Sequence, residues 1–210
     1  MDRQLLFLSA FFVTCLLVSN IIASKVIYLA GITLPAAIIV FPITFLITDT
    51  INEVWGKKVA QEIVWLGFAM NVIMILLFQL GQILPPAPHW EHQEAYETIL
   101  GAVPRMVAAS LTAYLFSQLH DVWAFNFWKK ITKDKHLWLR NNLSTLSSQL
   151  VDSVFFISIA FVGTMPGEAL ITLMINQYLI KVGLAILDTP LIYLAVNWIR
   201  QRKEGLAVDR

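Results

Sequence analysis

The chain has 210 residues, of which 58% are hydrophobic and only 14% are charged. Soluble domains average about 45–50% apolar and about 25% charged residues, so this composition indicates a polytopic membrane protein. The formal net charge of +1 gives no support for nucleic-acid binding, and a single cysteine, Cys15, excludes a disulfide within the chain.

Long apolar stretches predict six membrane-spanning helices in one integral membrane domain covering residues 1–210. Crossing about 30 Å of hydrocarbon takes about 20 helical residues. A short turn at Gly31 and Pro35 and the proline-rich segment 85–97 are among the breaks between the stretches. The predicted spans are residues 5–28, 33–51, 63–84, 99–119, 142–164 and 169–198. The predicted fold class is therefore all-α, a six-helix transmembrane bundle.

Basic residues concentrate in alternate connections between these spans. They follow spans two, four and six, at Lys57, Lys58, Lys129, Lys130, Lys133, Lys135, Arg200, Arg202 and Lys203. The connections 29–33, 85–98 and 165–168 carry no Lys or Arg. Because cytoplasmic loops collect Lys and Arg, we expect both termini to face the cytoplasm.

Several ionisable residues fall within the predicted spans, where an unpaired charge costs several kcal/mol. Asp152 lies near the middle of span five, and Lys181 and Asp188 lie near the middle of span six. Arg105 enters from the outer side. Such residues usually face the interior of a bundle or a water-filled cavity, so we expect them to line a polar site.

The spacing of polar residues places a carboxylate beside an amide or hydroxyl on three helices. The three sets are Asp49, Asn52 and Glu53; Ser117, Gln118 and Asp121; and Ser148, Gln149 and Asp152. Residues three and four apart share one face of a helix. The pattern predicts a cavity for a polar, planar solute.

A purely structural alternative is that these polar side chains only hydrogen-bond helices to one another, with Lys181 neutralising Asp152 or Asp188. Proline residues favour a cavity instead, because broken helices are tolerated at membrane depth chiefly where they line protein or water-filled space. The prolines concerned are Pro35, Pro42 and Pro190.

Four motif blocks resemble the queuosine precursor transporter family, also called the vitamin-uptake-transporter-like (VUT) family. They are "FPITFLITDTINEVWG" (41–56), "RMVAASLTAYLFSQLHDVWAF" (105–125), "RNNLSTLSSQLVDSVFF" (140–156) and "KVGLAILDTPLIY" (181–193). The resemblance extends from about Asn20 to Ile199.

This resemblance implies import of 7-deazaguanine bases, the nitrile and aminomethyl precursors of queuosine, across a bacterial inner membrane. It also implies a distant likeness to the six-helix substrate-binding subunits of energy-coupling-factor transporters, although members of the family act without the partner ATPases. No cofactor and no metal are expected.

The predicted site combines ten candidate ligands with three candidate counter-ions or gates. The substrate-binding candidates are Asp49, Asn52, Glu53, Gln118, Asp121, Asn142, Ser148, Gln149, Asp152 and Asp188. The candidate counter-ions or gates are Arg105, Arg140 and Lys181. A carboxylate can accept two adjacent N–H groups of a guanine-like edge. Aromatic rings could stack on the base: Phe45, Tyr114, Phe125, Phe155 and Phe156.

Two other classes of function are open to the sequence. A membrane enzyme is disfavoured because no Gly-x-Gly-Asp block or His-Glu-x-x-His helix is present. A substrate-binding subunit of a larger vitamin or nucleobase uptake complex is the stronger alternative, and assembly into a homo-oligomer is also open. The expected partners are a nucleobase-like small molecule and the lipid bilayer.

Overall fold

The computed structural model describes the backbone of residues 2–132 and 137–208, and the side chains of residues 2–132, 139, 142–184, 194–197 and 199. Apart from one short hairpin, the regular elements of the described chain are all helices, which confirms the all-α prediction. The helices are α1 (Arg3–Ile22), α2 (Phe41–Trp55), α3 (Lys57–Ile83), α4 (Gln93–Gly101), α5 (Val103–Ile131), α6 (Leu137–Phe161) and α7 (Gly167–Val208).

Four helical stretches of the described residues are long and apolar enough to cross a membrane. They are Arg3–Ile22, Lys57–Ile83, Gln93–Ile131 and Asn142–Phe161. Large apolar side chains are exposed along them, as expected where lipid replaces water. The chain is therefore a multi-pass membrane protein, while the count of six spans stays a prediction.

A two-stranded hairpin occupies the segment that the sequence assigned to the end of span one and the start of span two. Strand β1 (Val26–Leu29) pairs antiparallel with β2 (Ile32–Pro35), and Leu29 lies opposite Ile32. The two connecting residues, Ala30 and Gly31, both have positive φ, 50° and 86°. Such a pair matches the right-handed twist of the strands, so this turn closes the hairpin. The first helix has already ended at Ile22, before β1 begins.

Three prolines, Pro35, Pro42 and Pro104, mark the boundaries of elements, whereas Pro190 lies within α7. Pro35 ends β2, and a short 3-10 helix, Ala36–Ile39, follows it. Pro42 and Pro104 both lie in the first turn of a helix, in α2 and in α5. Proline is tolerated at that position because its missing N–H would have no partner within the helix.

Helices α5 and α6 form an antiparallel pair at the centre of the molecule. Met106 and Ala109 of α5 pack with Ile157 and Ala160 of α6, and all four side chains are buried. Small residues allow helix backbones to approach closely, which explains the two alanines with no exposed surface. Ala23 of α1 and Leu173 of α7 complete this cluster, so it joins four helices.

Helix α1 also packs closely against α3. A Cβ atom on Gly67 would lie 2.8 Å from Cδ2 of Leu16 and 3.1 Å from Cε1 of Phe12. The glycine therefore permits an approach that a larger residue would oppose. A second apolar cluster, which includes Phe12, Ile47 and Ile63, fixes α1, α2 and α3 together.

Candidate functional site

One cavity opens between α1, α2, α5, α6, α7 and the hairpin. Its volume is about 80 Å³, measured as the space open to the centre of a water molecule. Since one water needs about 10–15 Å³ on that measure, the cavity holds on the order of five to eight waters, the scale of a bicyclic base. The lining residues are Ser19, Asn20, Ala23, Pro35, Ala37, Ile38, Phe41, Ser110, Ala113, Asp152, Phe156, Gln177 and Lys181.

An ion pair between α6 and α7 lies in the cavity wall. Lys181 donates through Nζ to Oδ2 of Asp152. The lysine side chain is only 4% exposed, whereas that of the aspartate is 20% exposed. A buried charge needs a partner because desolvation costs several kcal/mol. Asp152 therefore satisfies Lys181 and still keeps part of its carboxylate open to the cavity.

Two aromatic rings belong to the same wall. The ammonium of Lys181 lies 4.3 Å from the centroid of the Phe41 ring, within the range of a cation–π interaction. Phe41 in turn packs on Phe45, with ring centroids 4.3 Å apart. Phe156 lines the cavity from α6. These rings provide apolar surface on which a flat ligand can stack.

Gln177 lies one helical turn before Lys181 on α7 and also lines the cavity. Its side chain is 3% exposed, and within the described part of the chain no hydrogen bond engages its amide. A buried amide without a partner loses one to three kcal/mol, roughly, relative to a satisfied one. Gln177 thus offers a free donor and a free acceptor to a ligand.

A second buried amide, Asn20, lines the cavity from α1. Its Nδ2 donates to Oδ1 of Asn71 on α3 over 2.9 Å and to the carbonyl oxygen of Leu16 over 3.2 Å. Asn20 is 4% exposed and Asn71 is 1% exposed. With both hydrogens of its amide engaged, Asn20 has only Oδ1 left for a ligand.

The hairpin closes one side of the cavity. Pro35 of β2 lines it, and the backbone N–H of Ala36 donates to the carbonyl oxygen of Lys25 over 2.8 Å. Asn176 of α7 donates through Nδ2 to the carbonyl oxygen of Thr33 over 3.1 Å. This bond fixes the hairpin to the helix that carries Gln177 and Lys181.

The lining therefore has a definite chemical pattern. Among the described residues its carboxylate and amides offer three acceptors, the carboxylate of Asp152, Oδ1 of Asn20 and the amide oxygen of Gln177, and the hydroxyls of Ser19 and Ser110 can also accept. Donors come from Lys181, the amide nitrogen of Gln177 and the hydroxyls of two serines. The arrangement suits a flat solute with several N–H groups, a carbonyl oxygen and no net charge.

Of the residues predicted from sequence, Asp152, Lys181 and the stacking candidate Phe156 line this cavity. Asp49, Asn52 and Glu53 share one face of α2, but all three are exposed and point away from the buried face. The reason is that the interior side of this helix is taken by apolar residues such as Ile47 and Ile51.

The other polar candidates lie outside the cavity as well. Gln118 and Asn142 are exposed. Ser148 is buried and donates to the carbonyl oxygen of Thr145 in its own helix. Oδ1 of Asp121 and Oε1 of Gln149 are both buried, and within the described residues no group donates to either atom. Their roles in substrate binding remain predictions.

Arg105 stabilises the packing of two helices. Its Nε donates to the carbonyl oxygen of Ile159 over 2.6 Å, and Nη2 donates to that of Val162. These carbonyls belong to the end of α6, where backbone oxygens have no partner within the helix. The cation also complements the negative end of the helix dipole. The side chains of Arg140 and Asp188 lie outside the described residues.

Sequence reasoning missed Asn20 and Gln177. The predicted polar residues were charged or close to a charge in the sequence, whereas Asn20 lies in a run without any charge. Gln177 could have been found by its spacing, because residues 177 and 181 are four apart and share a helix face. Asn20 carried the weaker signal, an isolated amide near the end of an apolar span.

Comparison with known proteins gives a consistent set of relatives. The family described as "Putative vitamin uptake transporter" matches residues 35–195. The chain is 35% identical to a "Probable queuosine precursor transporter" of Bacillus subtilis, over 86% of this chain and 80% of the relative.

Two further relatives carry related names. A "Queuosine precursor transporter" of Escherichia coli is 27% identical over 76% of this chain and 69% of its own length. A "Probable queuosine precursor transporter" of Haemophilus influenzae is 26% identical over 81% of this chain and 72% of its own length. No solved structure matches the chain significantly. These relatives confirm the prediction of a transporter, not an enzyme.

Proposed function

The chain belongs to the family of vitamin uptake transporters matched over residues 35–195, and we propose that it imports 7-deazaguanine precursors of queuosine. The observation that carries the proposal is the Asp152–Lys181 pair in a cavity that also holds a free buried amide, Gln177. The names of three relatives support the same class of substrate.

The ion pair is complementary to the edge of a guanine-type base. Such an edge presents two adjacent N–H donors beside a carbonyl oxygen. A carboxylate accepts from both donors, as acidic residues do in reading base edges. Asp152 takes this role, and Lys181, already held beside it, donates to the carbonyl oxygen. An adenine-type edge lacks this order of groups and is bound more weakly.

The rings at the cavity supply the remaining contact surface. Stacking of a base on an aromatic side chain contributes about 1–3 kcal/mol. Phe156 and Phe41 both line the cavity and are available for it. Phe155, another predicted stacking residue, instead stacks on Phe116 with centroids 4.3 Å apart.

The charge of the cavity favours a neutral ligand. Its described lining contains one carboxylate, Asp152, and one ammonium, Lys181. A cationic ligand would have to displace Lys181 from Asp152 or stay without a counter-charge, and both are costly in a buried site. We therefore propose that the neutral nitrile base binds more tightly than the aminomethyl cation.

The proposed setting is a bacterial inner membrane with both termini in the cytoplasm. The asymmetric distribution of Lys and Arg between the connections supports this orientation. A net charge of +1 gives no reason to expect a nucleic-acid partner.

Uptake into liposomes tests the proposal directly. The purified chain is reconstituted and supplied with labelled nitrile base, and accumulation is compared with that in liposomes without protein. We expect saturable uptake that guanine-type bases inhibit and that adenine does not. Absence of both binding and uptake would refute the proposal.

The same experiment separates this function from its main alternative. A chain that binds the base in detergent but does not carry it into liposomes would be a binding subunit of a larger complex. Repeating uptake with and without a pH gradient identifies whether protons drive entry. We expect transport without any added ATPase, as the resemblance to this family implies.

A further inference from the structure

The buried amide pair between α1 and α3 has a defined direction. Nδ2 of Asn71 donates to the carbonyl oxygen of Gly67 over 2.9 Å. A carbonyl oxygen can only accept, so the amide of Asn71 cannot be reversed without losing this bond. Its Oδ1 must therefore face Asn20, 2.9 Å away.

The orientation of the Asn71 amide also fixes the orientation of the Asn20 amide. Oδ1 of Asn71 needs a donor, which only Nδ2 of Asn20 can supply in this pair. The second hydrogen of that nitrogen goes to the carbonyl oxygen of Leu16. A reversed Asn20 would place its oxygen against two acceptors in a site where both asparagines are almost fully buried.

The consequence is that Asn20 presents a fixed acceptor to the cavity. No described group donates to its Oδ1. A lone asparagine can turn its amide to suit either a donor or an acceptor on a ligand. Here Asn71, which does not line the cavity, removes that choice together with the carbonyl oxygen of Leu16.

We propose that Asn71 is a positioning residue that holds Oδ1 of Asn20 toward the ligand, and that this oxygen accepts a ring N–H of the substrate. This proposal rests on the proposed function: in a 7-deazaguanine base, the group that donates to Asn20 is the pyrrole N–H. Asp152 and Asn20 lie on different helices, α6 and α1, so they can engage different edges of one base. The contact selects free bases over nucleosides, which carry a sugar on that nitrogen.

A matched pair of ligands tests the assignment. One is the nitrile base, and the other is its furo[2,3-d]pyrimidine analogue, in which a ring oxygen replaces the pyrrole N–H with little change of shape. We expect the wild-type chain to bind the N–H form at least tenfold more tightly, because the oxygen would face Oδ1 of Asn20 without a hydrogen between them.

Two variants then separate positioning from mere packing. Asn71→Leu removes the shorter of the two hydrogen bonds that orient the amide of Asn20 and leaves only the 3.2 Å bond to Leu16, so we expect the preference for the N–H form to fall to about threefold or less. Asn20→Ala removes the acceptor and should reduce the preference equally. Asn126→Ala, at an exposed position of α5, is the control and should keep the wild-type preference.

The ratio of the two affinities decides the outcome. A purely structural Asn71 would weaken both ligands by one factor and leave the ratio unchanged, which would overturn the inference. If Asn71→Leu does not fold, an unchanged ratio in Asn20→Ala overturns it. Binding of neither ligand by the wild-type chain would instead refute the proposed function, and this inference with it.

Discussion

Helices α5 and α6 carry the same short pattern, Ser117-Gln118-x-x-Asp121 and Ser148-Gln149-x-x-Asp152, yet their aspartates lie in different surroundings. Asp152 contacts Lys181 and faces the cavity. Asp121 lies outside the cavity lining, and its buried Oδ1 receives no hydrogen bond from the described residues. Equal local sequence therefore gives unequal surroundings, because the partner of Asp152 comes from elsewhere in the chain.

Replacing the aspartate of α6 should have the largest effect. Asp152→Asn leaves the ammonium of Lys181 buried without a counter-charge, a change that costs about 3–5 kcal/mol in buried pairs. We expect a strongly lowered melting temperature in detergent and loss of measurable binding of the nitrile base. Thermal unfolding and equilibrium binding measure the two effects separately.

The double variant Asp152→Asn with Lys181→Met separates stability from binding. With both charges removed, no unpaired ammonium stays buried, so the double variant should regain most of the stability that Asp152→Asn loses. Binding should not return, since the carboxylate that accepts the N–H groups is still missing. Full binding by the double variant would show that the pair is structural and that the site lies elsewhere.

Arg105 on α5 should affect stability and not binding, unlike Lys181 on α7. Arg105→Gln removes a charged donor from the carbonyl oxygens of Ile159 and Val162. Hydrogen bonds to charged groups contribute about 1.5–3 kcal/mol, so we expect a clear loss of thermal stability. The affinity of the folded fraction for the nitrile base should stay within about twofold, because Arg105 does not line the cavity. A large loss of affinity at unchanged stability would make Arg105 part of the site.

The ring beside Lys181 should give a smaller effect. Phe41→Leu removes the cation–π contact, which contributes about 0.5–2 kcal/mol, and one stacking surface. We expect affinity for the nitrile base to fall by up to roughly tenfold in a binding titration. Phe7→Leu on α1, where the ring is 69% exposed, is the matched control and should bind normally. Equal losses in both variants would contradict a specific role for Phe41.

The aspartate of α5 should matter least. Asp121→Asn replaces the carboxylate by a neutral amide. Because Oδ1 of that carboxylate is buried and receives no hydrogen bond from the described residues, stability should be unchanged or slightly higher. Uptake and affinity should remain within about twofold of the wild type, in contrast to Asp152→Asn. A tenfold loss of uptake at normal affinity would place Asp121 on the transport path and remove the contrast between the helices.

Among the polar residues that line the cavity, only the charged ones were predicted from the sequence. Lys181 and Asp152 stood out because an ionised side chain in an apolar span requires a partner, and the sequence offered each as a candidate for the other. The carboxylates of α2 stood out equally and are exposed. Spacing shows that Asp49 and Glu53 share a helix face, but it does not show which way that face points.

The sequence alone determined that this protein is an α-helical membrane protein, because hydropathy is a local property of each segment. It also indicated a break near Gly31, but the first helix ends earlier, at Ile22, because residues 26–35 pair with each other as a hairpin. The tertiary structure decided which polar groups surround the cavity. Asn20 meets Asn71 across 51 positions of the chain, and Lys181 meets Asp152 across 29. Such contacts depend on how helices rotate and pack, which no single segment encodes.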